Sequence, residues 1–235
     1  MDPQQEQTAR TFDGYKDSYS EAVDSVVAFT GFSVDFFTRV KADYILDLTR
    51  EELGNPGNLS VLDVGCGIGN YHPLLSPHFG TLAGVDVSSA CVDTARRRNP
   101  AVGYQVYDGE RLPYDSASFD LAFTICVMHH VPPAKWRGFV GEMRRVLRPG
   151  GLALVFEHNP YNPLTRRAVN TCPFDADAVL LRSRTTKALL REAGFDGIRA
   201  RYILSVPPTN RLLRRVDRGF GLLPFGGQYY VMATA

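Results

Sequence analysis

Cysteine is sparse in this sequence, and what there is does not pair. Cys66, Cys91, Cys126 and Cys172 lie far apart with no C-x-x-C spacing among them, and three of the four sit in apolar segments. Buried free thiols in a reducing compartment are the expectation, which places the chain in the cytoplasm. An excess of charge of one sign is missing too. The net charge is +1 over 235 residues, so composition gives no reason to expect a nucleic-acid or strongly acidic partner. No apolar run approaches the roughly 20 residues a membrane-spanning helix requires. The polar opening "MDPQQEQTARTFDGYKDSYSEA" lacks the basic segment and apolar core of a signal peptide. Internal repeats and low-complexity tracts are absent. What remains, with 44% hydrophobic residues, suits one globular domain carrying small appended elements.

The middle of the chain alternates. Short β-branched runs, "SVLDVG", "TLAGVDV", "GYQVYD", "FDLAFTICV" and "GLALVFEHN", read as strands. Between most of them lie helical patterns: "SSACVDTARRRN", capped by Ser88 or Ser89, and "PPAKWRGFVGEMRRVLR", which Pro149-Gly150 is expected to stop. Such alternation predicts an α/β fold with a mostly parallel sheet and helices on both faces. Ahead of Ser60, "YSEAVDSVVAFT" and "DFFTRVKADYILDLTREEL" read as amphipathic helices. Beyond Asn159, "PYNPLTRRAVNTCPFDADAVLL" reads as a loop and "SRTTKALLREAG" as a helix ended by its glycine. The runs "FDGIRARYILSVP" and "GGQYYVMATA" read as a closing pair of strands with an insertion between them.

The richest chemical signal is "SVLDVGCGIGN". Its glycines, Gly65, Gly67 and Gly69, are spaced G-x-G-x-G, and Asn70 stands where a dinucleotide fingerprint needs its third glycine. No Gly-Lys-Ser/Thr follows, which excludes a P-loop. Asp63 adds a carboxylate that would repel a pyrophosphate and suits a ligand bearing positive charge. Asp86 ends the second strand, roughly twenty residues on, where a carboxylate can accept both hydroxyls of a ribose, as in nucleoside and nicotinamide sites alike. Asp108 ends the third strand, where it can accept from an exocyclic amine, with Gly109 N–H beside it; a turn or cap is the plainer reading of Asp108 alone.

These blocks, with "EMRRVLRPGGLALVFEHN" and "CVMHHV", resemble the class I S-adenosylmethionine (SAM)-dependent methyltransferases, in their small-molecule "type 11" branch. The resemblance runs from about Phe12 to the end and rests on four blocks in order. It implies a Rossmann-like fold with seven strands, the last antiparallel, and SAM lying across the C-terminal strand ends. It also implies a loop of Asp63, Gly65, Gly67 and Gly69 against the methionine moiety, Asp86 and Val87 at the ribose, Asp108 and Gly109 at the adenine, and Cys126 near the methionine. "FDGYKDSYSEA" looks like the branch's helical cover, with Tyr15 and Tyr19 as lid contacts or plain packing. The chain then divides into a cover (1–55), a SAM-binding core (56–159) and two acceptor-side insertions (160–184 and 208–227).

For a hydroxyl acceptor a base must take a proton, and only five histidines exist. His129 and His130 follow the fourth strand, and His158 ends the fifth; these are the candidate catalytic residues, and a metal site built from them has no supporting spacing. "EHNPYNP" follows the fifth strand rather than the fourth and has a single proline, unlike the block of the nucleic-acid amino-methylating enzymes it superficially resembles. The expected function is SAM-dependent methylation of a small molecule of secondary metabolism or glycan assembly, most simply on oxygen, yielding S-adenosylhomocysteine (SAH). Nitrogen or carbon acceptors, a SAM-binding protein without catalysis, and a nicotinamide oxidoreductase are the alternatives. Arg166, Arg167, Arg182 and Arg184 are candidate contacts to an anionic acceptor. "RLLRRVDRGFGLLPF" reads as a helix packed on one face, or else as a contact to a membrane surface or lipid-linked acceptor. A monomer or homodimer without stable membrane insertion is expected.

Overall fold

The computed structural model describes residues 3–15 and 19–235. Three helices come first: α1 (Pro3–Tyr15), α2 (Tyr19–Val27) and α3 (Val34–Glu52). The alternating core follows as β1 (Ser60–Val64), α4 (His72–Leu75), β2 (Thr81–Asp86), α5 (Ser89–Arg98), β3 (Gly103–Val106), β4 (Phe119–Ile125), α6 (Trp136–Val146) and β5 (Leu147–His158). The chain closes with α7 (Pro163–Thr171), α8 (Ser183–Glu192), β6 (Asp196–Ile203), α9 (Arg211–Gly219) and β7 (Gln228–Thr234).

The seven strands form one sheet in the order β3-β2-β1-β4-β5-β7-β6. All pairings are parallel except those of β7, which runs antiparallel to both β5 and β6. Side chains alternate across the sheet as the pleat requires. Val61, Leu121, Phe123, Leu154 and Phe156 pack against α3 and α5 on one face. Leu62, Ala122, Val155 and Tyr229 pack against α6 and α8 on the other. Both faces are covered, which is why the strands read as nearly continuous apolar runs. After β1 the chain winds outward to β2 and β3, then returns to place β4 on β1's other side. That reversal opens a crevice at the C-terminal strand ends, where open α/β sheets bind ligands.

Local chemistry explains the element boundaries. Ser88 caps α5, its hydroxyl accepting from Cys91 N at 3.0 Å. Helix α6 stops at Val146, ahead of Pro149-Gly150, because Leu147 already pairs with Phe119 on β4. The segment after Asn159 is not wholly loop. Asn162 accepts from both Leu164 N and Thr165 N, and Pro163 supplies the first helical φ, so α7 forms where only turn residues were apparent. Among the described residues, no helix is long and apolar enough to cross a membrane.

Candidate functional site

Two adjoining cavities lie along the C-terminal strand ends. The first is a crevice of about 130 Å³ between the β1 and β2 ends and α1, lined by Asp63, Gly65, Gly67, Asp86, Val87, Tyr107 and Cys126, with Phe12 and Tyr15 of α1 closing it. Gly65 sits at φ +81°, and a Cβ there would lie 2.5 Å from Val127 Cγ2, so only glycine lets the β1 end pass under the β4 end. Gly67, at φ +52°, has open space where its side chain would be, so a ligand can approach its backbone closely. Asp86 accepts from Gly67 N at 2.8 Å and Ser88 N at 2.9 Å, and burial pushes its carboxyl up to about 6. A carboxylate offers about four lone-pair sites, so two remain for a ligand's hydroxyls.

Asp63 lines the same crevice from a buried position. Its carboxylate accepts from His72 Nε2 at 3.0 Å, and His72 Nδ1 in turn meets the Tyr104 hydroxyl. Burial raises Asp63 above the usual carboxylate range, against the pull of His72. Histidine 72 was silent in the sequence because it opens a helix of only one turn.

The crevice differs from the sequence reading at three positions. Gly69 sits behind it, with Asn99, Tyr104 and His72 where a Cβ would go. Asp108 turns its carboxylate back onto Glu110 N (2.8 Å) and Arg111 N (3.0 Å), the turn role that was the plainer reading. Gly109 lies beneath α1, its carbonyl accepting from Gln5 Nε2 at 2.9 Å. None of the three lines the crevice. Tyr15 does, whereas the side chain of Tyr19, at the start of α2, lies outside the described residues.

The second cavity is larger, about 590 Å³, and mostly apolar, with Phe29, Phe32, Phe36, Phe37 and Val169 in its walls. His129, His130, His158, Asp175 and Lys41 line its polar end. Phe12, Asn70, Tyr71, Ile125, Cys126 and His130 border both cavities, so this is where groups from the two can meet. Cys126 holds φ at +56°, uncommon outside glycine and a frequent mark of functional sites.

The three candidate histidines converge here, and two carboxylates bind them. His129 Nδ1 lies 2.6 Å from Glu157 Oε2, and its Nε2 lies 3.7 Å from Asp175 Oδ1. Glu157 also accepts from Met128 N at 2.8 Å. Burial disfavours the His129 imidazolium, but Glu157 and Asp175 overcome this and hold it well above the ordinary value. His130 Nε2 lies 3.3 Å from Asp175 Oδ1; burial and the neighbouring His129 charge lower it. His158 is pushed down to about 4 by burial and by His129. At neutral pH the cluster thus holds one imidazolium and two neutral imidazoles. The ligand atoms of His129, His158 and Asp175 lie within 4.8 Å of one another, a spacing open to a cation. His129 Nδ1 is already taken by Glu157, and His158 Nδ1 faces the Gln228 amide nitrogen at 3.4 Å.

Asp175 carried no recognisable signal; it lies in a turn between α7 and α8, and only the fold brings it under the histidines. Lys41 was equally hidden on α3. It is buried, donates to Gln228 Oε1 at 3.2 Å, and is lowered by burial. None of the four candidate arginines is among the residues lining the two cavities. Arg167 lies over the Phe29 ring at 4.9 Å and Arg182 over Tyr161 at 5.7 Å.

Comparison with known proteins agrees with this geometry. Residues 62–155 match the family model described as a methyltransferase domain. An uncharacterized methyltransferase of Synechocystis sp. is 33% identical over 156 residues, covering 65% of this chain and 74% of that protein. The chain belongs to the class I SAM-dependent methyltransferases. A 24-methylenesterol C-methyltransferase of Oryza sativa is 30% identical over 196 residues, covering 77% of this methyltransferase chain, which spans only 52% of that relative. In fold, the methyltransferase resembles the geranyl diphosphate C-methyltransferase of Streptomyces coelicolor, with TM-score 0.63 at 18% identity, covering 100% of this chain and 98% of that one. SAM is the family's methyl donor. The crevice fits it chemically: open space beside Gly67, a half-buried Asp86 with acceptor sites to spare, and acidic walls that suit a sulfonium.

Proposed function

We propose that this methyltransferase binds SAM in the crevice and an apolar small molecule bearing a hydroxyl in the larger cavity, and methylates that hydroxyl. The observation that carries the reading is the shared border: His130 lines both cavities, is held neutral, and is oriented by Asp175. SAM, when bound, supplies a methyl group already activated on a sulfonium. The chain's own work is then to align, to exclude water and to take a proton. Alignment of this kind contributes roughly 7–11 kcal/mol at best. His130 Nε2 lies 3.3 Å from Asp175 Oδ1, so with its proton on Nε2 the imidazole keeps Nδ1 to accept the acceptor's proton; an arrangement of carboxylate, imidazole and hydroxyl typically adds about 10²–10⁴-fold. His129 has the opposite task. Already protonated between two carboxylates, it cannot act as base, and instead holds Glu157 and Asp175 in place. His158, neutral at the cavity wall, is a contact for the acceptor.

The size of the crevice adds a requirement. A nucleoside joined to an amino acid needs a pocket of roughly 300 Å³ or more. At about 130 Å³ the crevice is smaller than this, and in the proposed reaction it widens by displacement of α1, which closes it.

A second reading, methylation at carbon, draws support from the aromatic walls, whose ring faces stabilise positive charge, and from the names of the rice and Streptomyces relatives. Incubation with methyl-labelled SAM and a panel of apolar alcohols, phenols and alkenes tests the proposal. The expected product carries its label as a methyl ether, seen by mass and NMR. Label on carbon selects the second reading, and no transfer to any acceptor class contradicts both.

A further inference from the structure

Helix α9 is turned inside out. Three of its five charged residues face the body: Asp217 is buried, accepting from the Tyr44 hydroxyl and the backbone N–H groups of Leu204, Ser205 and Val206. Arg214 and Arg218 pair with Asp43, Asp47 and Glu51 on α3. Its apolar stripe, Leu212, Val216 and Phe220, faces solvent, with Leu212 69% exposed. The following loop adds Leu222 at 73% and Phe225 at 64%.

This loop is fastened to the start of α7, since Asn159 Nδ2 donates to the carbonyls of Pro224 and Gly226, and Asn162 Nδ2 to that of Phe225. The fastening brings exposed Leu164 beside the loop, and Leu164 also lines the larger cavity. Exposed apolar residues thus stand on α9, on its following loop and, at Leu164, at that cavity's edge. Exposed apolar side chains gathered in this way signal a surface that is covered in use.

Charge identifies the cover. Residues 205–227 hold one acidic residue, the buried Asp217, and four arginines, of which Arg214 and Arg218 are paired to α3 and Arg211 and Arg215 are exposed. At helical spacing, exposed Arg211 and Arg215 border the apolar stripe. A second copy meeting this face across a two-fold axis would bring the same arginines together. An anionic bilayer answers both features at once, taking leucine and phenylalanine side chains into its interface and pairing the arginines with headgroups.

We propose that α9 and its following loop dock this methyltransferase on an anionic lipid bilayer, with the edge of the larger cavity facing the lipid. Docking is independent of the proposed reaction, so it is tested without turnover.

The experiment is co-sedimentation of the full chain with vesicles of phosphatidylcholine and phosphatidylglycerol (3:1), and with phosphatidylcholine alone. The expected result is partition onto the anionic vesicles, weaker on the neutral ones and weaker at high salt. The double variant Leu222→Asp/Phe225→Asp should weaken partition by about tenfold or more, with melting temperature and SAH binding unchanged. Should that variant fold poorly, Leu212→Ser/Leu222→Ser replaces it with the same expectation. Arg211→Gln/Arg215→Gln should reduce binding to the anionic vesicles alone. Absent partition, or partition undiminished in the apolar variants, overturns the proposal. So does a dimer in light scattering that the Leu222→Asp/Phe225→Asp change splits, which would give the face to a second copy.

Discussion

At the scale of single residues, the two adjacent histidines have different surroundings that their sequence neighbours could not reveal. Both read as candidate bases after β4. What separates them is the partners the fold delivers: Glu157 from β5 and Asp175 from a distant turn grip His129, while His130 reaches Asp175 alone and faces both cavities. In the proposed reaction His130 acts in its neutral form; burial and the His129 charge lower it, so that form dominates at neutral pH and is lost as pH falls through a limb below the ordinary histidine range. His130→Ala should therefore lower kcat by about 10²-fold or more and abolish that acidic limb. A pH-rate profile of both proteins checks it. An unchanged rate would remove His130 from the chemistry. Asp86 was legible from its place at the end of β2. Asp108 was legible only as an acidic residue after β3, and its carboxylate serves its own turn.

At the scale of elements, patterns with strong periodicity were readable and those built by capping were not. The helices α2, α3, α5, α6 and α8 carried their apolar spacing openly. Helix α7 did not, because its formation rests on one asparagine side chain accepting from two backbone N–H groups, ahead of a proline. Helix α9 was legible as a helix, but its orientation was hidden, since its outward face depends on acids contributed by α3. Helix α1 bears on function most directly. It closes the crevice through Phe12 and Tyr15, and ties down through Gln5 to Gly109 and through Asp13 to Ser88. If it yields to admit the cofactor and settles over it, hydrogen exchange in residues 5–15 should slow several-fold on adding SAH. Exchange unchanged by SAH would mean that α1 takes no part in binding.

At the scale of the whole molecule, the order of the strands does the essential positioning. The reversal between β1 and β4 places the glycine turn, Asp86 and the histidine pair around one rim, although they are far apart in the chain. The sheet and its antiparallel last strand were readable from the alternation and from the terminal strand pair. The larger cavity was not, because its walls come from α2, α3, α7 and the turn holding Asp175, joined by no sequence spacing.

The central claim is that the rim binds a sulfonium nucleoside with Asp86 at its ribose. Calorimetric titration with SAH tests it most directly, in the wild type and in Asp86→Ala. The account predicts one site per chain with submillimolar affinity, weakened about tenfold or more when two hydroxyl contacts to the carboxylate are lost. No heat of binding in the wild type, or equal affinity in the two proteins, would contradict it.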